Sequence, residues 1–211
     1  MKIVILYATR EGQTRKVAEY LGAALRGRDV AADVVDIATV DGARGAALPL
    51  DGYAAAILAA PVHYGKHKEM APFVRRHRAA LESLPCAFLS VSGSQASAEN
   101  PAVPPEARAR AAASAQNAIE AFFRDTGWRP AHVLPVAGAM LYTQYGFFIR
   151  LMIRLIQRSS GIPVDATVDH EYTDWAALDR FADALLVSLR APPPVERTPR
   201  AAPGESRGTG P

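Results

Sequence analysis

Short apolar runs alternate with helix-period stretches over roughly the first hundred residues, the pattern of repeated strand–helix–strand units whose strands are covered on both faces. Residues 2–8 read as a first strand and 14–27 as an amphipathic helix, with Val17, Tyr20, Leu21, Ala24 and Leu25 on one stripe. Residues 32–37 and 53–60 supply the next two strands, and the Gly- and Ala-rich stretch Thr39 to Asp51 between them is only weakly helical. A helix over 68–81, with Pro72 tolerable only near its first turn, leads to a fourth strand at 86–91. Ser92 to Pro105 is rich in turn-forming residues. The Ala- and Arg-rich run 105–125 then patterns as a helix ending before Gly127, 132–137 as a fifth strand, and 175–190 as a final helix that Thr173 or Asp174 can cap. Alternation of this kind specifies the α/β class with a parallel sheet.

The repeat is interrupted by an inserted segment of about 141–163, and from Ala191 the composition changes. Residues 191–211 are almost all Pro, Gly, Ala, Arg, Glu, Ser and Thr, with Val195 the only large apolar side chain, so that tail is expected to be disordered. One domain over 1–190 and a tail account for the 211 residues, of which 49% are hydrophobic, enough for one packed core. No apolar run reaches the roughly 18 residues of a membrane span, and the N-terminus lacks the pattern of a signal peptide, so the chain is expected in the cytoplasm. The one cysteine, Cys86, reads as a buried strand residue with no catalytic role. A net charge of +3 and a pI near 9.2 favour small anionic partners or an acidic membrane surface. No nucleic acid and no metal is expected, and a homo-oligomer is left open.

The candidate chemistry lies where strands end. Thr9-Arg10-Glu11-Gly12-Gln13-Thr14 falls at the first strand-to-helix junction, where backbone N–H groups and the helix dipole converge on an anion. The hydroxyls of Thr9 and Thr14 can donate to phosphate oxygens, and Gly12 allows close approach or a positive φ. No Lys-Ser/Thr pair follows the glycine and no G-x-G-x-x-G is present, which argues for a monophosphate rather than a nucleoside triphosphate or a dinucleotide. The hexapeptide alone fits equally well a turn residue and a helix cap. Two further loops, Pro61-Val62-His63-Tyr64-Gly65 and Ser92-Gly93-Ser94-Gln95, end at the same carboxyl edge, where ligands of open α/β sheets bind. Tyr64 can stack on a flat isoalloxazine, or be an ordinary half-buried loop residue. His63 can supply a donor or a cation, or merely face solvent.

The chain resembles the flavodoxin superfamily and, within it, the menaquinone-dependent protoporphyrinogen IX dehydrogenases of haem synthesis. The resemblance covers residues 2 to about 187. It rests on Tyr7-Ala8-Thr9-Arg10-Glu11-Gly12-Gln13-Thr14, Tyr64-Gly65, Phe73-Val74, Trp128-Arg129-Pro130, Ala137-Gly138-Ala139, Met152-Ile153-Arg154-Leu155-Ile156 with Ser160-Gly161, and Tyr172-Thr173-Asp174-Trp175. The chain departs from the family at His63, where arginine is frequent, and over Gly93 to Pro105, which is longer and more Pro-rich.

The resemblance implies a flavodoxin-like three-layer sandwich with a five-stranded parallel sheet in the order 2-1-3-4-5, FMN as cofactor, and oxidation of protoporphyrinogen IX to protoporphyrin IX with electrons passed to menaquinone or ubiquinone. Backbone donors of the Pro61–Gly65 and Ser92–Gln95 loops, with any charge on His63, would then stabilise the reduced flavin. Within the insert, Arg150, Arg154 and Arg158 are spaced by four along an otherwise apolar stretch from Tyr145 to Ser159. That face can lie on an anionic membrane from the cytoplasmic side, hold the substrate propionates, or be the solvated edge of a core helix. An FMN-dependent NAD(P)H:quinone reductase and an electron-carrier flavodoxin are the competing functions. The basic composition and the apolar insert speak against the carrier.

Overall fold

A computed structural model of the chain describes residues 1–40, 48, 50–140 and 170–191. The elements are β1 (Lys2–Tyr7), α1 (Gln13–Arg26), β2 (Ala31–Asp36), α2 (Ile37–Val40), β3 (Ala55–Pro61), α3 (Met70–Glu82), β4 (Cys86–Ser92), α4 (Gly93–Glu99), α5 (Pro105–Thr126), β5 (His132–Ala137), β6 (Ala139–Met140), β7 (His170–Glu171) and α6 (Trp175–Arg190). β1 to β5 form one all-parallel sheet in the order β2-β1-β3-β4-β5, and β6 pairs with β7 antiparallel as a small appendage. This is the doubly wound arrangement expected, with the reversal of strand order between β1 and β3.

Successive side chains of a strand face opposite sides of the sheet, so strands covered by helices on both sides must be apolar throughout. β1 shows it. Ile3 and Ile5 pack with Val17, Leu21 and Leu25 of α1 and with Leu178 and Leu185 of α6. Val4 and Leu6 face the other way, toward Phe73 and Leu81 of α3, Ile119 and Phe122 of α5, and Trp128. Phe88 of β4 stacks on Phe122 with ring centroids 4.7 Å apart, and Trp128 meets it edge-on at 6.2 Å. α1 and α6 are also tied at the surface by Arg28, which bridges Asp179 and Asp183.

One expectation needs correction, and one choice between two residues is decided. Ser92 to Pro105 is not only turns: Ser92 caps a seven-residue helix, α4, its Oγ accepting the Gln95 N–H at 3.0 Å. The turn-forming composition hid a short helix that Ala96 anchors, fully buried between neighbouring elements. The cap of α6 is Asp174, whose carboxylate accepts the Ala177 N–H at 2.9 Å, while the Thr173 hydroxyl is used elsewhere. Between β2 and β3 a helix is described over Ile37–Val40, and residues 41–47 and 49 are outside the described set. The inserted segment at 141–163, with Arg150, Arg154 and Arg158, and the tail beyond Ala191 also lie outside the described residues. No helix among those described is long and apolar enough to cross a membrane.

Candidate flavin site at the carboxyl edge of the sheet

Because the strands are parallel, the loops leaving β1, β3 and β4 gather at one edge. The loop after β1 turns on Gly12, which has φ 88° and opens α1 without a side-chain cap. A Cβ added there would meet nothing within 4 Å, so the glycine answers a conformational need rather than a lack of room. The first-turn N–H groups of an α-helix have no partner within the helix, and the dipole places positive charge at that end. The Thr9 hydroxyl accepts the Gly12 N–H at 3.0 Å, fixing the turn while leaving its own proton free to donate. Thr14 is buried in the first turn and Glu11 is exposed.

Two contacts brace this loop. Gln13 is turned inward: its Nε2 donates to the Thr173 hydroxyl at 2.8 Å, which donates in turn to the Ala137 carbonyl at 2.9 Å. Arg10 pairs with Glu69 at 2.9 Å, joining the loop to the start of α3.

The loop after β3 is a tight hairpin. The backbones of His63 and Lys66 exchange hydrogen bonds at 2.9 and 3.2 Å around Tyr64 (φ 48°) and Gly65 (φ 71°), the pair of left-handed residues that a two-residue hairpin turn demands. Tyr64 is 81% exposed, not half-buried, and the His63 ring meets it edge-on at 4.3 Å. His63 itself is half-buried. Not every backbone donor of these loops faces outward. The Val62 N–H is taken by the Val91 carbonyl at 2.8 Å, that of His63 by Lys66 and that of Gln95 by Ser92, which leaves the N–H groups of Tyr64, Gly65, Gly93 and Ser94 as the remaining donors of these two loops. The Gln95 side chain bonds Glu99 at 2.7 Å and the Ser94 hydroxyl reaches Ser114 at 3.4 Å, so both are engaged with helices. Pro61 ends β3, its carbonyl accepting from a histidine not singled out in the sequence.

That residue is His67. It is 2% exposed and meets the stacked rings of Phe88 and Phe122 edge-on, each centroid 5.1 Å from its own. Nδ1 lies 3.2 Å from the Pro61 carbonyl and Nε2 3.3 Å from the Ser90 hydroxyl. A carbonyl can only accept, so Nδ1 carries the proton and Nε2 accepts from Ser90. Burial pushes its pKa down to about 4, keeping the ring neutral. Nothing in Lys66-His67-Lys68 marks the middle residue as buried. Its nearness to Tyr64-Gly65 in the chain is the only signal.

Cys86 is buried at the opposite end of β4, its thiol donating to the Leu81 carbonyl at 3.1 Å and pushed up to about 12 by burial. It stays protonated and inert.

The flavodoxin domain family matches residues 4–167. The chain belongs to that family. Flavodoxin domains carry FMN, and FMN is the cofactor of this one. The loop after β1 fits its phosphate, with a left-handed glycine, an uncapped helix start and a free hydroxyl proton. Among curated proteins, the protoporphyrinogen IX dehydrogenase (quinone) of Escherichia coli K12 is 32% identical over 183 residues, covering 86% of this chain and 93% of that protein. The Leishmania major protein of the same name is 30% identical over 195 residues, 91% of this chain and 78% of that one. Among solved structures, a flavodoxin from the domain Archaea is similar over 90% of this chain and 100% of its own, with a TM-score of 0.48 and 14% identity.

Proposed function

We propose that this flavodoxin-family protein is an FMN-dependent protoporphyrinogen IX dehydrogenase that delivers electrons to a quinone. The observation that carries the reading is the relationship to the Escherichia coli enzyme, which extends over 93% of that protein rather than over a nucleotide-binding half alone. When bound, the flavin supplies the redox chemistry, taking a hydride equivalent from the reduced macrocycle and passing the electrons on. The chain's own residues bind and orient. Thr9, Arg10, Glu11, Gly12, Gln13 and Thr14 hold the phosphate end through backbone donors and the Thr9 hydroxyl, with Arg10 tempered by Glu69. Pro61, Val62, His63, Tyr64 and Gly65, together with Ser92, Gly93, Ser94 and Gln95, would hold the flavin ring. The N–H groups of Tyr64 and Gly65 would favour the reduced form of the flavin by donating to it.

The same reading places the protein on the cytoplasmic face of an anionic membrane, where a lipid-soluble quinone is met. Its support is the apolar stretch Tyr145 to Ser159 with Arg150, Arg154 and Arg158 at intervals of four. The test is anaerobic. FMN-loaded protein mixed with protoporphyrinogen IX and either menaquinone or ubiquinone should develop porphyrin fluorescence while the quinone is reduced. A flavin that stays oxidised with the porphyrinogen but bleaches with NADPH would replace this reading with a nicotinamide-dependent quinone reductase.

A further inference from the structure

Tyr64 is held against its own conformational preference. Among the described residues only Asp29 and Tyr64 have a positive φ without being glycine. An aspartate can offset that conformation with local hydrogen bonds from a short side chain, whereas a tyrosine cannot. At 81% exposure, packing does not repay the strain either. Strain kept at an exposed position next to a cofactor loop points to a ligand.

The charges around the ring narrow the chemistry of that ligand. Lys68 holds its ammonium 5.6 Å from the centre of the Tyr64 ring, and Lys66 is exposed at the base of the turn. Neither forms an ion pair among the described residues. The carboxylate nearest in sequence, Glu69, is already committed to Arg10. The two lysines leave the backbone on either side of His67, which the Pro61 carbonyl, the Ser90 hydroxyl and two phenylalanine rings fix in place. An aromatic ring with one ammonium near its face and a second exposed lysine two residues away, neither in an ion pair among the described residues, suits a flat, mostly apolar molecule with two acidic arms.

We propose that Lys66 and Lys68 are the carboxylate receptor for the substrate: they bind the acidic side arms of a macrocycle whose rings lie beside Tyr64 at the mouth of the flavin site. This rests on the dehydrogenase reading and deepens it, assigning substrate recognition to the hairpin. Each ammonium acts as a point charge on a flexible stem, so the contact orients a dicarboxylate without demanding fork geometry.

The experiment compares wild type with the Lys66→Gln/Lys68→Gln double variant, both loaded with FMN, on protoporphyrinogen IX and on its dimethyl ester. The variant's KM for the diacid should rise about tenfold, the range expected for two exposed charge pairs, with kcat within about twofold. Its KM for the dimethyl ester and its FMN affinity should not change, and Lys66→Arg/Lys68→Arg should recover most of the diacid preference. An unchanged KM for the diacid, or an equal rise for diacid and ester, overturns the receptor while wild-type turnover keeps the dehydrogenase reading intact. If wild type oxidises neither compound, the functional reading falls and the receptor with it.

Discussion

Gln13 donates a 2.8 Å hydrogen bond to Thr173 across 160 positions of sequence, so the loop at the start of the chain is braced by a residue two positions before α6. The brace continues through the Thr173 hydroxyl to the Ala137 carbonyl at the end of β5. Both side chains are buried, and removing either leaves a polar partner without its bond. Gln13→Ala should cost about 1–2 kcal/mol in urea unfolding and raise the FMN dissociation constant by roughly three- to tenfold. Thr173→Val should do much the same. Because the two act as one unit, the double variant should lose clearly less than the sum, a coupling that a double-mutant cycle reads directly.

Gly12 allows a cleaner separation of conformation from contact. Its φ is 88° and a Cβ would meet no atom, so Gly12→Ala tests the backbone alone. The left-handed conformation costs an alanine about 1–2 kcal/mol. The variant can lose stability or relax the turn, and relaxing it would withdraw the helix N-terminus from the phosphate site proposed there. FMN titration followed by fluorescence quenching should therefore show weaker binding than wild type. Gly12→Asn, which tolerates this conformation better, should fall between the two.

The sheet was legible because strands covered on both faces must be apolar runs, and 2–8, 53–60 and 86–91 are such runs apart from Lys2 and Ser90. Shifts of one residue, such as β2 at Ala31–Asp36 rather than 32–37, reflect soft ends. α4 was hidden because Gly93 and the prolines at 101, 104 and 105 dominate its neighbourhood, although Ser92 three residues before Gln95 is an ordinary cap. At the site, the sequence displayed the residues that offer polar groups outward but not those that hold the loops in place. Gln13 stood out only as a member of the phosphate loop, and its inward turn depends on Thr173, a partner that no local pattern can name. His67 sits between two lysines and is buried only because Phe88 and Phe122 close on it from other elements.

The arginines of the insert carry the membrane part of the proposal. If Arg150, Arg154 and Arg158 meet lipid headgroups, each contributes about 1 kcal/mol at an anionic surface, and the attraction is screened by salt. The triple change to glutamine should abolish sedimentation with phosphatidylserine vesicles while leaving binding to neutral vesicles as it was. Turnover with a water-soluble quinone should persist, and turnover with vesicle-embedded menaquinone should drop. If vesicle binding and porphyrinogen oxidation are both untouched, the face is a solvated edge and the membrane assignment is wrong.

His67 makes stability depend on pH over a definable window. Burial holds its folded-state pKa at about 4, against an ordinary value of 6.5. Between those values the unfolded chain binds a proton that the native chain does not, so stability falls as pH drops from about 6.5 to about 4 and the contribution levels off below that. The shift sets an upper limit of about 3 kcal/mol for this one group. His67→Phe keeps the packing against Phe88 and Phe122 but strands the Pro61 carbonyl and the Ser90 hydroxyl. It should therefore be less stable than wild type near neutrality by about 1–3 kcal/mol, with a flatter pH dependence toward acid. Urea melts across that range decide it. A variant that keeps the full wild-type slope would show that the acid sensitivity belongs to other groups and that His67 is not held neutral by its burial.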